Sequence, residues 1–131
     1  MFRNPLIRWT ILLAYIAVVY YLCLLPSSNV PKNTFLDKIY FDKWVHIMMH
    51  FGTWTLLVWN FKGPGLLIHH RAKVFVLSFF LVLIIGGSIE YLQGQMGRSM
   101  DWQDELANFT GALIAWRFWL KFENKWKVYQ L

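Results

Sequence analysis

The residues of this sequence that could do chemistry are few, and they sit where a greasy chain should not have them. Glu90 and Gln93 close one apolar run, Asp104 and Asn108 open another, and Asp42, Lys43 and His46 stand at the mouth of a third. Residues three or four apart share a helix face, so Glu90 with Gln93, Asp104 with Asn108 and Asp42 with His46 each form a pair on one face. Arg98 lies in the connection between the Glu90 and Asp104 segments. Acids and amides of this kind hydrogen-bond hydroxyl and peptide groups, and Arg98 and Lys43 suit phosphate or carboxylate. Glu90 or His46 could also serve as a general base, with Arg98 stabilising a developing anion. An ionised group facing lipid costs about 2.5–3.5 kcal/mol on insertion scales, so such side chains are kept where they face protein or water.

Two sharper chemistries find less support. His46 and His50 have the His-x-x-x-His spacing of a metal pair, with Glu90 as a third ligand. No glutamate follows the first histidine, however, and His50 lies a turn deeper. No metal or cofactor is therefore expected. Ser99 could meet His46 and Asp104 in a hydrolase-like triad, but no strand–turn–helix elbow surrounds it. Two structural roles compete with a site: Asp104 as the cap of the last helix, and Glu90 in an ion pair with Arg98. Gly111, a turn after Asn108, gives room beside that face. Gly86, Gly87 and Ser88 would let helices approach closely.

The elements that must position these groups are apolar. The chain of 131 residues is 57% hydrophobic and 15% charged, against about 25% charged in a soluble domain. That places it in the membrane class, as a single domain over residues 1–131. Runs at about 6–25, 45–61, 74–92 and 105–120 predict four helices, the first of one bilayer length, the second and the last shorter. The expected fold is an all-α, integral membrane four-helix bundle. Leu6 to Leu25 is too long for the apolar core of a signal peptide, and no small-residue cleavage site follows it. Little chain remains outside the helices, so any activity must lie between them or at their ends.

The net charge of +6 does not indicate nucleic acid, because the basic residues are spread between the apolar runs. They set orientation instead. Four spans put nine Lys and Arg on the side of both termini and four, namely Lys32, Lys38, Lys43 and Arg98, on the other. Both termini are thus expected in the cytoplasm, and every unusual polar group on the external face. Trp9, Trp59, Trp116 and Trp119 then fall at the inner interface, and Tyr20, Tyr21, Trp44, Tyr91 and Trp102 at the outer one. Cys23 is the sole cysteine, so no internal disulfide forms.

Taken in order, several pieces resemble the VanZ-like family of small bacterial membrane proteins. They are Leu24-Leu-Pro-Ser-Ser28, Asp42-Lys-Trp-Val-His46 with Phe51, Ile89-Glu-Tyr-Leu-Gln93, Gly97-Arg-Ser99, and Asp104-Glu-Leu-Ala-Asn-Phe-Thr-Gly111. The match runs from about residue 10 to 118. The family is named for a protein linked to resistance against the glycopeptide teicoplanin. The resemblance implies a multi-pass protein of the bacterial cytoplasmic membrane with an envelope role. Its polar positions map onto Asp42, Lys43, His46, Glu90, Gln93, Arg98, Asp104 and Asn108; Asp101 falls in a stretch that looks variable. The expected partner is a membrane lipid or lipid-linked cell-wall precursor, with a glycopeptide antibiotic as a second candidate. An intramembrane enzyme acting on a lipid-linked substrate and a structural scaffold are the alternatives. The oligomeric state is left open.

Overall fold

The computed structural model describes residues 4–25, 35, 40–62, 71–97 and 101–127, with side chains to residue 122. Arg98 and Ser99 lie outside the described residues, so the roles expected of them are not placed; the neighbouring pair His69 and His70 also lies outside them. The described chain is helical, without strands: α1 (Pro5–Cys23), α2 (Phe41–Phe61), α3 (Arg71–Gln95) and α4 (Trp102–Lys127).

Local chemistry fixes most of the boundaries. Asn4 caps α1 by accepting from the Leu6 N–H at 2.9 Å, and Pro5 occupies the first helical turn, where a missing N–H costs nothing. At its other end the Leu24 N–H reaches the Tyr20 carbonyl before Pro26. α2 starts at Tyr40, which adopts φ +51° with no side-chain cap, and stops ahead of Gly63-Pro-Gly. Beyond the end of α3, Gly97 takes φ +79°, a left-handed turn that glycine adopts without steric cost. The helices α2, α3 and α4 begin before their apolar runs because polar first turns are still good helix. Hydropathy ends where water begins, and backbone hydrogen bonding does not.

Two hydrogen bonds fix the antiparallel order. The Gln93 amide at the end of α3 donates to the Cys23 carbonyl at the end of α1, at 2.8 Å. At the opposite end Arg8 of α1 donates to the Asn60 carbonyl of α2, at 3.2 Å. Between these ends Trp54 is fully buried, its ring 5.4 Å from Phe75 and 5.5 Å from Phe79. Leu12, Val58, Val74, Val82, Ala112 and Ala115 complete this core.

The closest approach is between α2 and α4. A Cβ on Gly111 would collide with the Ile47 carbonyl oxygen and come within 3.0 Å of the Ile47 carbonyl carbon and the Phe51 nitrogen. The room expected beside Gly111 is therefore filled by the backbone of α2. Gly86 is crowded by Asn108 and Glu105 of α4, whereas Gly87 has nothing near it. So only the first of that pair serves helix contact.

Polar side chains are buried alongside the apolar core, and large apolar ones lie on the outside. His46, His50, Thr53, Asn60, Ser78, Glu90, Gln93, Asp104 and Asn108 are buried. Leu13, Val18, Val76, Phe80, Ile84 and Phe118 point outward and are exposed. By length and composition, α1 and α3 are apolar enough to cross a membrane. α2 and α4 carry their ionisable groups inside the helix, which lowers the hydropathy of both.

Candidate functional site

The antiparallel order brings the start of α2, the end of α3 and the start of α4 to one end of the bundle. Lys43 of α2 is the hub. Its ammonium lies 2.5 Å from Asp101 Oδ2, forms an ion pair with Asp104 Oδ1, and stands 3.6 Å from Asp42 Oδ2. Desolvation by itself would lower the Lys43 pKa, but the hydrogen bonds to Asp101 and Asp104 outweigh it and hold the ammonium above the ordinary lysine range. In return Lys43, with help from the Gln103 N–H, holds the Asp101 carboxyl below its usual range.

One turn further along α2, the buried His46 ring meets α4. Its Nδ1 lies 2.9 Å from Asn108 Oδ1, and the Asn108 amide donates to Glu105 Oε2 at 3.1 Å. The other ring nitrogen, Nε2, is 3.9 Å from both Asp42 Oδ1 and Asp104 Oδ2. His50, fully buried below it, stacks parallel at 6.3 Å between ring centroids and reaches the His46 carbonyl through Nδ1 at 3.2 Å. Glu90 of α3 adjoins the group through the backbone: its Oε2 accepts the Asp101 N–H at 3.1 Å. Its Oε1 is buried with no hydrogen-bond partner among the described residues.

Of the residues singled out in sequence, the structure thus joins Asp42, Lys43, His46, Asp104 and Asn108 in one network, with Glu90 on its flank. Gln93 is buried but turned toward α1, so its amide ties helices together rather than facing this group. Arg98 lies outside the described residues. The capping role expected of Asp104 falls to Asp101 instead, whose Oδ1 accepts the Gln103 N–H at 2.9 Å. Asp104 is left free to pair with Lys43. Lys43, expected as a contact for anions, already has its ammonium engaged by two carboxylates.

Two further participants are Asp101 and Glu105. Asp101 caps α4, binds Lys43 and positions Glu90; a short acid immediately before a helix was the available signal. Glu105 fixes the Asn108 amide, and its spacing of three from Asn108 was visible in the sequence. A separate basic girdle occupies the far end. Arg8 lies over Trp59 at 4.7 Å, Lys62 over Phe75 at 5.1 Å and over Trp119 at 5.6 Å, and Arg71 over Phe75 at 5.4 Å.

The described end therefore holds several carboxylates, the Asn108 amide, two imidazoles and one neutralised ammonium, an arrangement able to orient hydroxyl, amine or cationic groups. No family model matches the chain, and no curated protein or solved structure matches it either.

Proposed function

We propose that this chain is a four-span protein of the bacterial cytoplasmic membrane, VanZ-like in kind, with both termini in the cytoplasm. Its polar end faces outward and binds the head group of an envelope lipid or lipid-linked cell-wall precursor. A glycopeptide antibiotic is the alternative ligand. The observation that carries this is that ionisable side chains are buried together at one end of a bundle whose flanks are exposed leucine, valine, isoleucine and phenylalanine. Lipid accommodates such flanks, and a built polar nest at one membrane level is by default a site. The girdle of Arg8, Lys62 and Arg71 on aromatic rings suits the cytoplasmic interface, where cations and tryptophans anchor helices.

The chemistry favours a hydroxyl-rich group over a bare anion at the network itself. Asp42, Asp101, Asp104 and Glu90 accept hydrogen bonds, and Lys43 is occupied. Arg98 is a cation that the sequence offers for a phosphate. Binding of a lipid-linked cell-wall precursor to the protein in nanodiscs tests this. Glu90→Gln and Arg98→Ala should each weaken binding about tenfold or more, the worth of one charge-assisted hydrogen bond. Unchanged affinity in both folded variants refutes the assignment.

A second, enzymatic reading rests on Glu90 Oε1, buried beside the network without a partner among the described residues, where it could accept a proton from a substrate. Turnover of a labelled lipid-linked substrate that Glu90→Gln abolishes while binding persists would select it. A scaffold would show neither effect. There, abundance would fall in step with any phenotype.

A further inference from the structure

The hydrogen bonds around His46 assign both of its ring nitrogens. Only the amide nitrogen of Asn108 can donate to the Glu105 carboxylate, which it does at 3.1 Å. Its Oδ1 therefore faces His46 Nδ1 and accepts from it at 2.9 Å, so Nδ1 carries the proton. In the neutral ring Nε2 is then a lone pair. Near it lie two carboxylate oxygens, Asp42 Oδ1 and Asp104 Oδ2, each 3.9 Å from Nε2 and beyond hydrogen-bond reach. His46 is 3% exposed, so water screens this arrangement poorly. Three electron-rich atoms facing one another in a half-dry site are mutually repulsive; the Lys43 ammonium beside Asp42 and Asp104 offsets part of this, and a cation between the three atoms would offset the rest.

We propose that Asp42 Oδ1, His46 Nε2 and Asp104 Oδ2 bind a first-row divalent cation of the zinc or manganese kind. The three ligand atoms lie within 4.8 Å of one another. Ligands at about 2.0–2.2 Å from one ion are roughly 3–4 Å apart, so small side-chain adjustments close the site. The Nδ1–H held by an amide oxygen is the outer hydrogen bond that orients metal-bound histidines and sets their tautomer. The local charge agrees, since Asp42, Asp101 and Asp104 face the single ammonium of Lys43. An imidazole with two carboxylates favours zinc or manganese over magnesium and calcium, which prefer all-oxygen shells. Three protein ligands leave a position open to water or a ligand oxygen. The Asp42 side chain is 58% exposed, so the ion exchanges with solvent without unfolding. None of this depends on the head-group assignment, because the ion is tested alone.

The test is titration of the purified, chelator-treated full chain in detergent with zinc chloride by calorimetry, and with manganese chloride by electron paramagnetic resonance. One ion per chain is expected. Asp42→Asn, an exposed change that should leave the fold intact, should weaken binding at least about tenfold, and so should Asn108→Ala by freeing the ring. His46→Gln should abolish saturable binding. Replacing His69 and His70 by alanine should change nothing. Absence of saturable binding at millimolar ion overturns the proposal. So does an affinity that Asp42→Asn and His46→Gln leave unchanged, or one lost with His69 and His70.

Discussion

Alanine at Gly111 and at Gly87 makes a matched pair of perturbations. Both positions lie inside helices, and both substitutions gain the same intrinsic term, about 0.8–1 kcal/mol for removing a glycine. They differ in what the new methyl meets. At Gly87 it meets nothing within 4 Å; at Gly111 it strikes the backbone of α2 at Ile47 and Phe51. A backbone carbonyl has no rotamer to escape into, so α2 and α4 must part by on the order of 1 Å, which forfeits about a quarter to a half of the dispersion attraction across the contact. Overpacking of this kind costs about 1–3 kcal/mol, and rigid backbone puts Gly111→Ala in the upper half of that range. The two variants should therefore differ by about 2–3 kcal/mol, with Gly87→Ala at or above the parent. Thermal unfolding in detergent, followed by labelling of the buried Cys23 with a thiol-reactive fluorophore, reads the difference directly. Parting the helices also pulls Lys43 and His46 away from Asp104 and Asn108, so ligand binding should weaken in the same variant. Equal stability of the two alanine variants would refute the close approach on which the whole site is built.

Other outcomes follow from the same contacts. Lys43→Met should destabilise by up to about 3 kcal/mol, because it leaves the buried Asp104 carboxylate without its partner. Asp101→Asn, at a side chain 34% exposed, should cost far less by the same denaturation assay. The Asp101 carboxyl lies below its ordinary value of 3.8 in the folded chain. Its stabilisation is present above that pH and lost as pH falls through the lowered value, so Asp101→Asn should flatten the acid limb of a melting-temperature profile. Gln93→Leu should lose about 0.5–1.5 kcal/mol through the missing bond to the Cys23 carbonyl, without altering the His46–Asn108 pair. A loss of ligand affinity in that variant at constant stability would show that Gln93 does face the site.

Four helices, their order and the concentration of polar residues at their ends were legible from the chain itself. Four apolar runs, punctuated by Gly63-Pro-Gly and by Pro26, admit few other arrangements, and spacings of four put Asp104 with Asn108 and Asp42 with His46 on shared faces. Which partner each side chain takes was not legible. Asp101 and Asp104 are the same residue type three positions apart, and nearest-neighbour chemistry suits either as a cap. The meeting with Lys43, 58 residues from Asp101, turns Asp104 inward and leaves Asp101 at the helix start. Gln93 and Glu90 share a helix face by spacing, yet one reaches α1 and the other the α4 cap. The reason is that helix periodicity fixes direction only about a helix's own axis. The rotation of each helix in the bundle, and hence the distance between groups on different helices, is set by packing, above all by Gly111 against Ile47. The lone pair of His46 between two carboxylates is a product of that packing and could not be read one helix at a time.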